Sequence, residues 1–382
     1  MDPLSFAVEA RDGSARVGRL ATPHGPLQTP AFFPVGTHGA VRGIGPDELR
    51  AVGVEGVLAN TYHLHLRPGE DLIRTLGGLH RFMGWDGPML TDSGGYQLYS
   101  LESLQARSEQ GVKFRSPIDG SPRELSPESA IEIQEALGAD LICVLDEFSE
   151  ISSNPSPAEL DAARGHLERT LRWAERCRRA HSRPDQLLFG IVQGGGSVEL
   201  RHQSARETLA LGFRAFAIGG LGVGDSKSQR SELLDAALEP LPATAPRYLM
   251  GLGEPPDLVA AIAQGVDVFD CVVPTRNGRH GLAFTANGRV NLRNARFRED
   301  ASALERDCPC PACGRHSRAY LNHLLRSGEA LGSRLISLHN IAYYMRLLAE
   351  IRDAIRGGHF GAWQEQWRAR YASSGSATDS AA

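Results

Sequence analysis

No uncharged apolar run in the 382-residue chain approaches the roughly 18 residues that a membrane span requires. The opening MDPLSFAVEARDG has neither a basic n-region nor an apolar h-region, so a signal peptide is not expected. Positive charge is not in excess: 41 Lys and Arg stand against 45 Asp and Glu, a formal net charge of −4. A globally basic nucleic-acid binder is thereby disfavoured, and any such site must be a local patch. Cysteine is scarce, with six residues in all. That is too few for a disulfide scaffold, and the expected location is the cytoplasm, where thiols stay reduced. Fixed-period repeats are missing, and so is low complexity before the small, polar ASSGSATDSAA tail, which reads as disordered. The glycine-rich stretches VQGG and IGGLGVG lack the P-loop lysine and the dinucleotide spacing, which argues against nucleotide binding. No strand end offers a His-x-His pair, which argues against a barrel metallohydrolase.

What the chain does contain is a set of eight short apolar runs, each ending in glycine or polar residues: 31–36, 56–61, 88–93, 140–147, 187–194, 215–220, 247–251 and 268–275. They are too short and too continuously apolar for helices, and read as strands buried on both faces. Helical patterns lie between most of them. One is 126–138, with Ser126 as N-cap, Pro127 in the first turn and Gly138 at the end; another is 157–180. Eight strand–helix units predict an α/β fold, a (β/α)8 TIM barrel, with a doubly wound open sheet as the alternative. Active sites of barrels sit at the C-terminal strand ends. Here those ends carry Asn60, Thr61, Asp92, Ser93, Asp146, Glu147, Gln193, Gly219 and Gly220, with Asp270 inside the last strand. Carboxylates and a carboxamide at one mouth suit acid–base or covalent chemistry on a polar ring.

Three cysteines fall within DCPCPACGRH, at Cys308, Cys310 and Cys313. Thiolates at that spacing can share one ion, and zinc asks for a fourth ligand. The candidates are His316, His323 and His339, of which His339 is favoured because a return from it would clamp the intervening segment. His339 is expected at the start of a helix. Four protein ligands leave no open position, so the zinc would be structural. Cys143, Cys177 and Cys271 read as inert buried thiols. The arginines of 164–183 read as a solvated helix face.

TPAFFPVGTHGAV, NTYHLHLRPG, TDSGGYQ, FGIVQGG, AIGGLGVG, RYLMGLG, FDCVVPTRNGRHGLAFT, CPCPAC and HNIAYY occur in that order over nearly the whole chain. The set resembles the tRNA-guanine transglycosylases of the bacterial type. The resemblance implies an irregular (β/α)8 barrel with an inserted zinc-binding subdomain. The barrel is expected over 1–295, the zinc subdomain over 296–345, C-terminal helices closing the barrel over 346–371, and a disordered tail over 372–382. It implies exchange of the wobble guanine of tRNAs with GUN anticodons for a 7-deazaguanine base, by double displacement. Asp270 matches the nucleophile that forms a covalent ribosyl intermediate, and Asp92 the general acid/base. Asp92, Ser93, Asp146, Gln193, Gly219, Gly220 and Leu221 would hold the base, with Tyr96 and Met250 sandwiching its ring. Arg276 and Arg279 would meet the anticodon, within an arginine-rich stretch that continues through Arg289, Arg293, Arg296 and Arg298. The implied zinc ligands are Cys308, Cys310, Cys313 and His339, and the implied assembly is a homodimer near the zinc subdomain, with Phe82, Tyr320 and His323 as contacts.

The chain departs from the bacterial pattern in places. Phe148 replaces a cysteine, and its ring is expected to narrow the base pocket. Asp225 replaces a glutamate that senses an aminomethyl group on the base, and Glu254 replaces a lysine, weakening one tRNA contact. Histidine stands within Arg279–Gly281 where asparagine is usual, and His316 replaces an aromatic. Val223 matches bacterial members, which favours the aminomethyl base (preQ1) over bulkier queuine. The alternatives are a variant that prefers queuine or another base, and a non-catalytic tRNA-binding partner subunit.

Overall fold

The computed structural model describes residues 4–100, 105–149, 152, 155–222 and 224–372. Val223 and the tail from 373 onward lie outside the described residues. All eight expected strands form: β1 (Ala31–Gly36), β2 (Val57–Ala59), β3 (Met89–Thr91), β4 (Leu141–Cys143), β5 (Leu187–Val192), β6 (Ala215–Ile218), β7 (Arg247–Leu249) and β8 (Val268–Cys271). They pair in parallel in chain order, and β8 returns to β1 through Asp270 opposite Phe33, which closes the barrel. β3, β4, β5 and β6 are buried at every position, as strands covered on both faces must be.

Local signals set the element boundaries. The Ser126 hydroxyl accepts from the Ser129 N–H, and Gly138 ends the Pro127–Leu137 helix in a left-handed turn at φ 78°. The Pro157–Ala180 helix starts at a Ser156–Glu159 capping box. Its arginines do not simply face solvent: Arg169 and Arg172 bind Glu109, Arg169 also binds Glu147, and Arg176 binds Glu128.

The N-terminal end of the barrel is shut by a three-stranded antiparallel sheet, Phe6–Asp12, Ala15–Leu20 and Leu27–Thr29. From it the fully buried Arg16 reaches Asp267 and the carbonyls of Ala243 and Ala245. That charge is satisfied on every side, which is what makes its burial tolerable. A second small sheet (residues 105–107, 112–115 and 122–125) is inserted between β3 and β4.

After β8 come a short helix, Val273–Arg279, a hairpin (282–285 and 288–291) and a second apolar cluster that includes Leu292, Phe297, Leu304, Leu321 and Ile336. A 27-residue helix, Ala330–Arg356, links this cluster to the barrel core, through Leu338, Ile341, Tyr344 and Leu348. The division expected at 345/346 falls inside it. It crosses the Val273–Arg279 helix where Gly278 lies: a Cβ there would come within 2.6 Å of the Ser337 Cα. Only glycine allows that approach.

Candidate active site and metal centre

A cavity of about 560 Å³ opens at the C-terminal ends of the strands. It is lined by Asp92, Ser93, Tyr96, Asp146, Gln193, Gly219, Gly220, Leu221, Met250, Asp270 and Arg276, so residues from six strand ends meet there. Arg279 follows one helical turn after Arg276 but does not line the cavity. Glu147 does not line it either, although the sequence places it at the same strand end. Successive residues leave a strand on opposite sides, and Glu147 turns outward to Arg169 at 2.6 Å and Arg107 at 3.5 Å.

The two carboxylates assigned to chemistry are held differently. Asp92 Oδ1 accepts the Thr61 N–H at 2.9 Å, and Oδ2 accepts from the Asn60 amide. Asn60 also caps the helix that follows β2 by accepting the His63 N–H. Asp270 Oδ1 accepts both the Tyr248 hydroxyl, at 2.6 Å, and the Gly251 N–H, at 2.7 Å. Among the described residues its Oδ2 meets no donor. Asp146 accepts from Gln193 Nε2 at 2.7 Å and from the Ser93 hydroxyl at 3.2 Å. Burial pushes Asp92 up to about 7, opposed by the Thr61 bond and reinforced by the charges of Asp270 and Asp146. Burial likewise raises Asp146 to about 6, against the Gln193 and Ser93 bonds. Asp270 is raised by burial, with Tyr248 and Gly251 pulling the other way. Asp92 and Asp146 still touch water through the mouth, so a base that seals it would raise both further.

Phe148 is buried against Tyr99 at 4.5 Å between centroids and stands edge-on to Tyr96 at 5.6 Å. It lines the cavity. Asp225 is outside the cavity: its Oδ2 accepts the Gly222 N–H at 3.1 Å and Arg230 Nε at 2.8 Å. Glu254 pairs with Arg289 at 2.6 Å, which neutralises one of the arginines expected to face tRNA.

Several site residues were not singled out from sequence. Tyr248 is one, and strand alternation could have found it, because Tyr248 and Met250 leave β7 on the same side. His63 and Gln97 also line the cavity. His63 belongs to a His-x-His that lies just past β2, in the Thr61–Leu66 helix. Its partner His65 turns away to Glu70, because residues two apart on a helix do not share a face.

His339 completes the cysteine cluster, from within the long helix and not from its start. Its Nδ1 lies 3.7, 3.6 and 3.3 Å from the sulfurs of Cys308, Cys310 and Cys313. A tetrahedral ion about 2.3 Å from sulfur and about 2.0 Å from nitrogen would separate S and N by roughly 3.5 Å, so the donor set fits a metal ion. His339 Nε2 bonds the Phe284 carbonyl at 2.7 Å, which fixes the tautomer that presents Nδ1. Arg346 Nη1 lies 2.5 Å from Cys308 Sγ and offsets the thiolate charge. His323 is exposed and His316 stacks on Tyr320 at 5.0 Å; neither joins the cluster. Cys143, Cys177 and Cys271 are buried and far from ionising, the last two pushed up to about 12. A second grouping, His24, His80 and Asp140, joins the N-terminal sheet to the barrel wall. Its imidazoles stack nearly parallel at 3.5 Å, and each bonds one oxygen of Asp140, at 2.7 Å from His24 and 3.1 Å from His80.

The family profile described as Queuine tRNA-ribosyltransferase matches residues 12–373. The chain belongs to this family. A Queuine tRNA-ribosyltransferase of Thermus thermophilus is 53% identical over 371 residues, covering 97% of this chain and 95% of the relative. Those of Pelotomaculum thermopropionicum and Zymomonas mobilis are 50% and 49% identical, each over 96% of this chain. Membership makes the protein an enzyme, a tRNA-guanine transglycosylase. Among the described residues, no helix is long and apolar enough to cross a membrane.

Proposed function

We propose that the enzyme replaces the wobble guanine of tRNAs with GUN anticodons by 7-aminomethyl-7-deazaguanine, through a covalent Asp270–ribosyl intermediate. The observation that carries this reading is the convergence of Asp270 and Asp92 on one base-sized cavity, each held by its own donors. Tyr248 and Gly251 hold one oxygen of Asp270, and the other attacks C1′ of the ribose as the C1′–N9 bond breaks. The expelled guanine takes its proton from Asp92. The incoming base returns a proton to Asp92, and its N9 displaces Asp270 from C1′. A carboxyl near 7 can give and take a proton at neutral pH. Asp146, Gln193 and Ser93 read the hydrogen-bonding edge, with Gly219, Gly220 and Leu221 as the floor and Tyr96 and Met250 on the ring faces. Arg276 and Arg279 take the anticodon. The preference for the aminomethyl base rests on the sequence at Val223.

In this reading Cys308, Cys310, Cys313 and His339 hold a structural zinc ion that supplies no chemistry and ties the 308–313 segment to the long helix. The functional divisions are the barrel over 1–295, the zinc subdomain over 296–345 and the closing helices over 346–371. A tRNA substrate puts the protein in the cytoplasm, which cell fractionation would check. Phe82 and Tyr320, exposed at 39% and 38%, belong to a homodimer interface. Light scattering on Phe82→Glu tests it: a dimeric variant would refute that interface.

The deciding experiment is exchange of labelled guanine into unmodified tRNA with a GUN anticodon. The native chain should incorporate label and Asp270→Asn should not, and Arg276→Ala should raise KM for tRNA without weakening guanine binding. Competition by the aminomethyl base and by queuine ranks the substrates. An Asp270→Asn variant with full activity would overturn the mechanism.

A further inference from the structure

Arg201 lies on the Val198–Ala210 helix directly behind the base pocket and is fully buried. Its Nε donates to the Gly195 carbonyl at 3.0 Å, and its Nη1 donates to the Gly219 carbonyl at 2.6 Å. Nη2 is buried without a partner among the described residues, and it would lie 3.3 Å from a Cβ placed on Gly220. Among those residues no carboxylate touches the guanidinium: the nearest charge to act on it, Asp225, is itself bonded to Arg230 and Gly222. Burying a cation on carbonyls alone is costly. A strut between two loops does not require that expense, because a neutral amide could bridge them. Arg16 shows the contrast within this protein: it is equally buried but bonded to Asp267.

The peptide whose carbonyl receives Nη1 is the one whose N–H belongs to Gly220. Gly220 lines the base pocket, and among the described residues no acceptor meets its N–H. A donor on a peptide oxygen draws electron density from the nitrogen and strengthens the N–H, most of all where the donor is charged and the surroundings are dry. We propose that Arg201 is a positioning residue for the departing base: it aligns the Gly219–Gly220 peptide and polarises it, so that the Gly220 N–H stabilises negative charge on the purine.

This inference deepens the base-exchange reading and rests on it. As C1′–N9 breaks, the bonding pair moves into the purine and spreads onto its six-position oxygen, while Asp270 bonds C1′. A donor at that oxygen then acts like an oxyanion-hole amide. A poorer leaving base carries more charge at the transition state and depends more on this donor. The pyrrole nitrogen of 7-deazaguanine is less acidic than the imidazole nitrogen of guanine, so the two bases separate the polarising role from support of the fold.

The experiment uses the full-length enzyme and synthetic anticodon stem-loops carrying guanine or 7-deazaguanine at the wobble position. Single-turnover base release is compared for the native chain, Arg201→Lys and Arg201→Gln. The ratio of the two release rates cancels any loss of folded enzyme. The guanine-over-deazaguanine ratio should rise roughly tenfold in both variants, less than the 10²–10³ that loss of a whole oxyanion donor costs. An unchanged ratio, whatever the absolute rates, overturns the proposal and leaves Arg201 a loop support. Calorimetric binding of free guanine is measured alongside. If the native enzyme releases neither base, the exchange reading fails, and guanine affinity then judges Arg201 alone: about tenfold weaker binding in both variants supports it, and equal affinity refutes it.

Discussion

Asp92 is the residue on which pH acts most directly. Its carboxyl sits near 7 in the folded pocket and near 4 in the unfolded chain. The folded state therefore holds the proton more tightly, and stability falls as pH rises from about 4 through about 7. The full difference is on the order of a few kcal/mol, reduced here by the water that reaches the mouth. Asparagine imitates the protonated form, so Asp92→Asn should unfold at a higher temperature than the native chain at pH 8 and at nearly the same temperature at pH 4. Differential scanning calorimetry across that range checks it, and a variant no more stable at pH 8 would show that Asp92 is not strained by burial. Base-exchange rate should peak near pH 7 and fall on both sides, because guanine leaves with a proton from Asp92 and the incoming base gives one back to its ionised form. Phe148 belongs to the same scale: it fills space beside Tyr96 and Tyr99 at the edge of the pocket.

At the scale of elements, the long helix Ala330–Arg356 does the joining. His339 reaches the cysteines and the hairpin carbonyl of Phe284. Asn340 accepts the Phe284 N–H and donates to the carbonyls of Pro274 and Leu282. Tyr344, one turn on, bonds the Gly253 carbonyl beside the pocket. A metal ion held at His339, inside this helix, would thus steady the helix that carries Arg276. Cys308→Ser should lose about one equivalent of zinc and lower the unfolding temperature, while a correctly folded remainder still binds guanine. Metal analysis with thermal melts tests this, and a zinc-free variant of native stability would contradict a structural role.

The whole molecule carries more acid than base, yet its substrate is a polyanion. Positive charge is gathered locally: Arg276 lines the mouth, and Arg279, one turn on, feels the charges of Arg42 and Arg276. Lysine contributes almost nothing, since Lys113 and Lys227 are the only two. Arginine binds phosphate and stacks on bases with one planar group, which suits an anticodon loop whose bases must be splayed. The closed barrel, sealed below by the N-terminal sheet and Arg16, leaves one polar mouth at the other end.

The sequence by itself determined the eight strands, and pointed to a barrel over a doubly wound sheet, because continuous burial of short strands leaves an apolar pattern and caps such as Ser126 mark where helices begin, although β4 and β8 end four residues earlier than their apolar runs. Strand-end position brought Asp92, Asp146, Gln193 and Asp270 to the mouth, the family resemblance added Tyr96, Leu221, Met250 and Arg276, and the one- and two-residue gaps marked the cysteines. Tertiary structure decided which strand-end residue points inward, sending Asp146 to the pocket and Glu147 to Arg169. It decided that His339 lies inside a continuous helix and is the histidine that meets the sulfurs. It also brought Tyr248 to Asp270 and Arg201 to the Gly219 carbonyl. These contacts join residues from different strands and helices, and a one-dimensional pattern carries no record of which distant groups close on one another when the barrel forms.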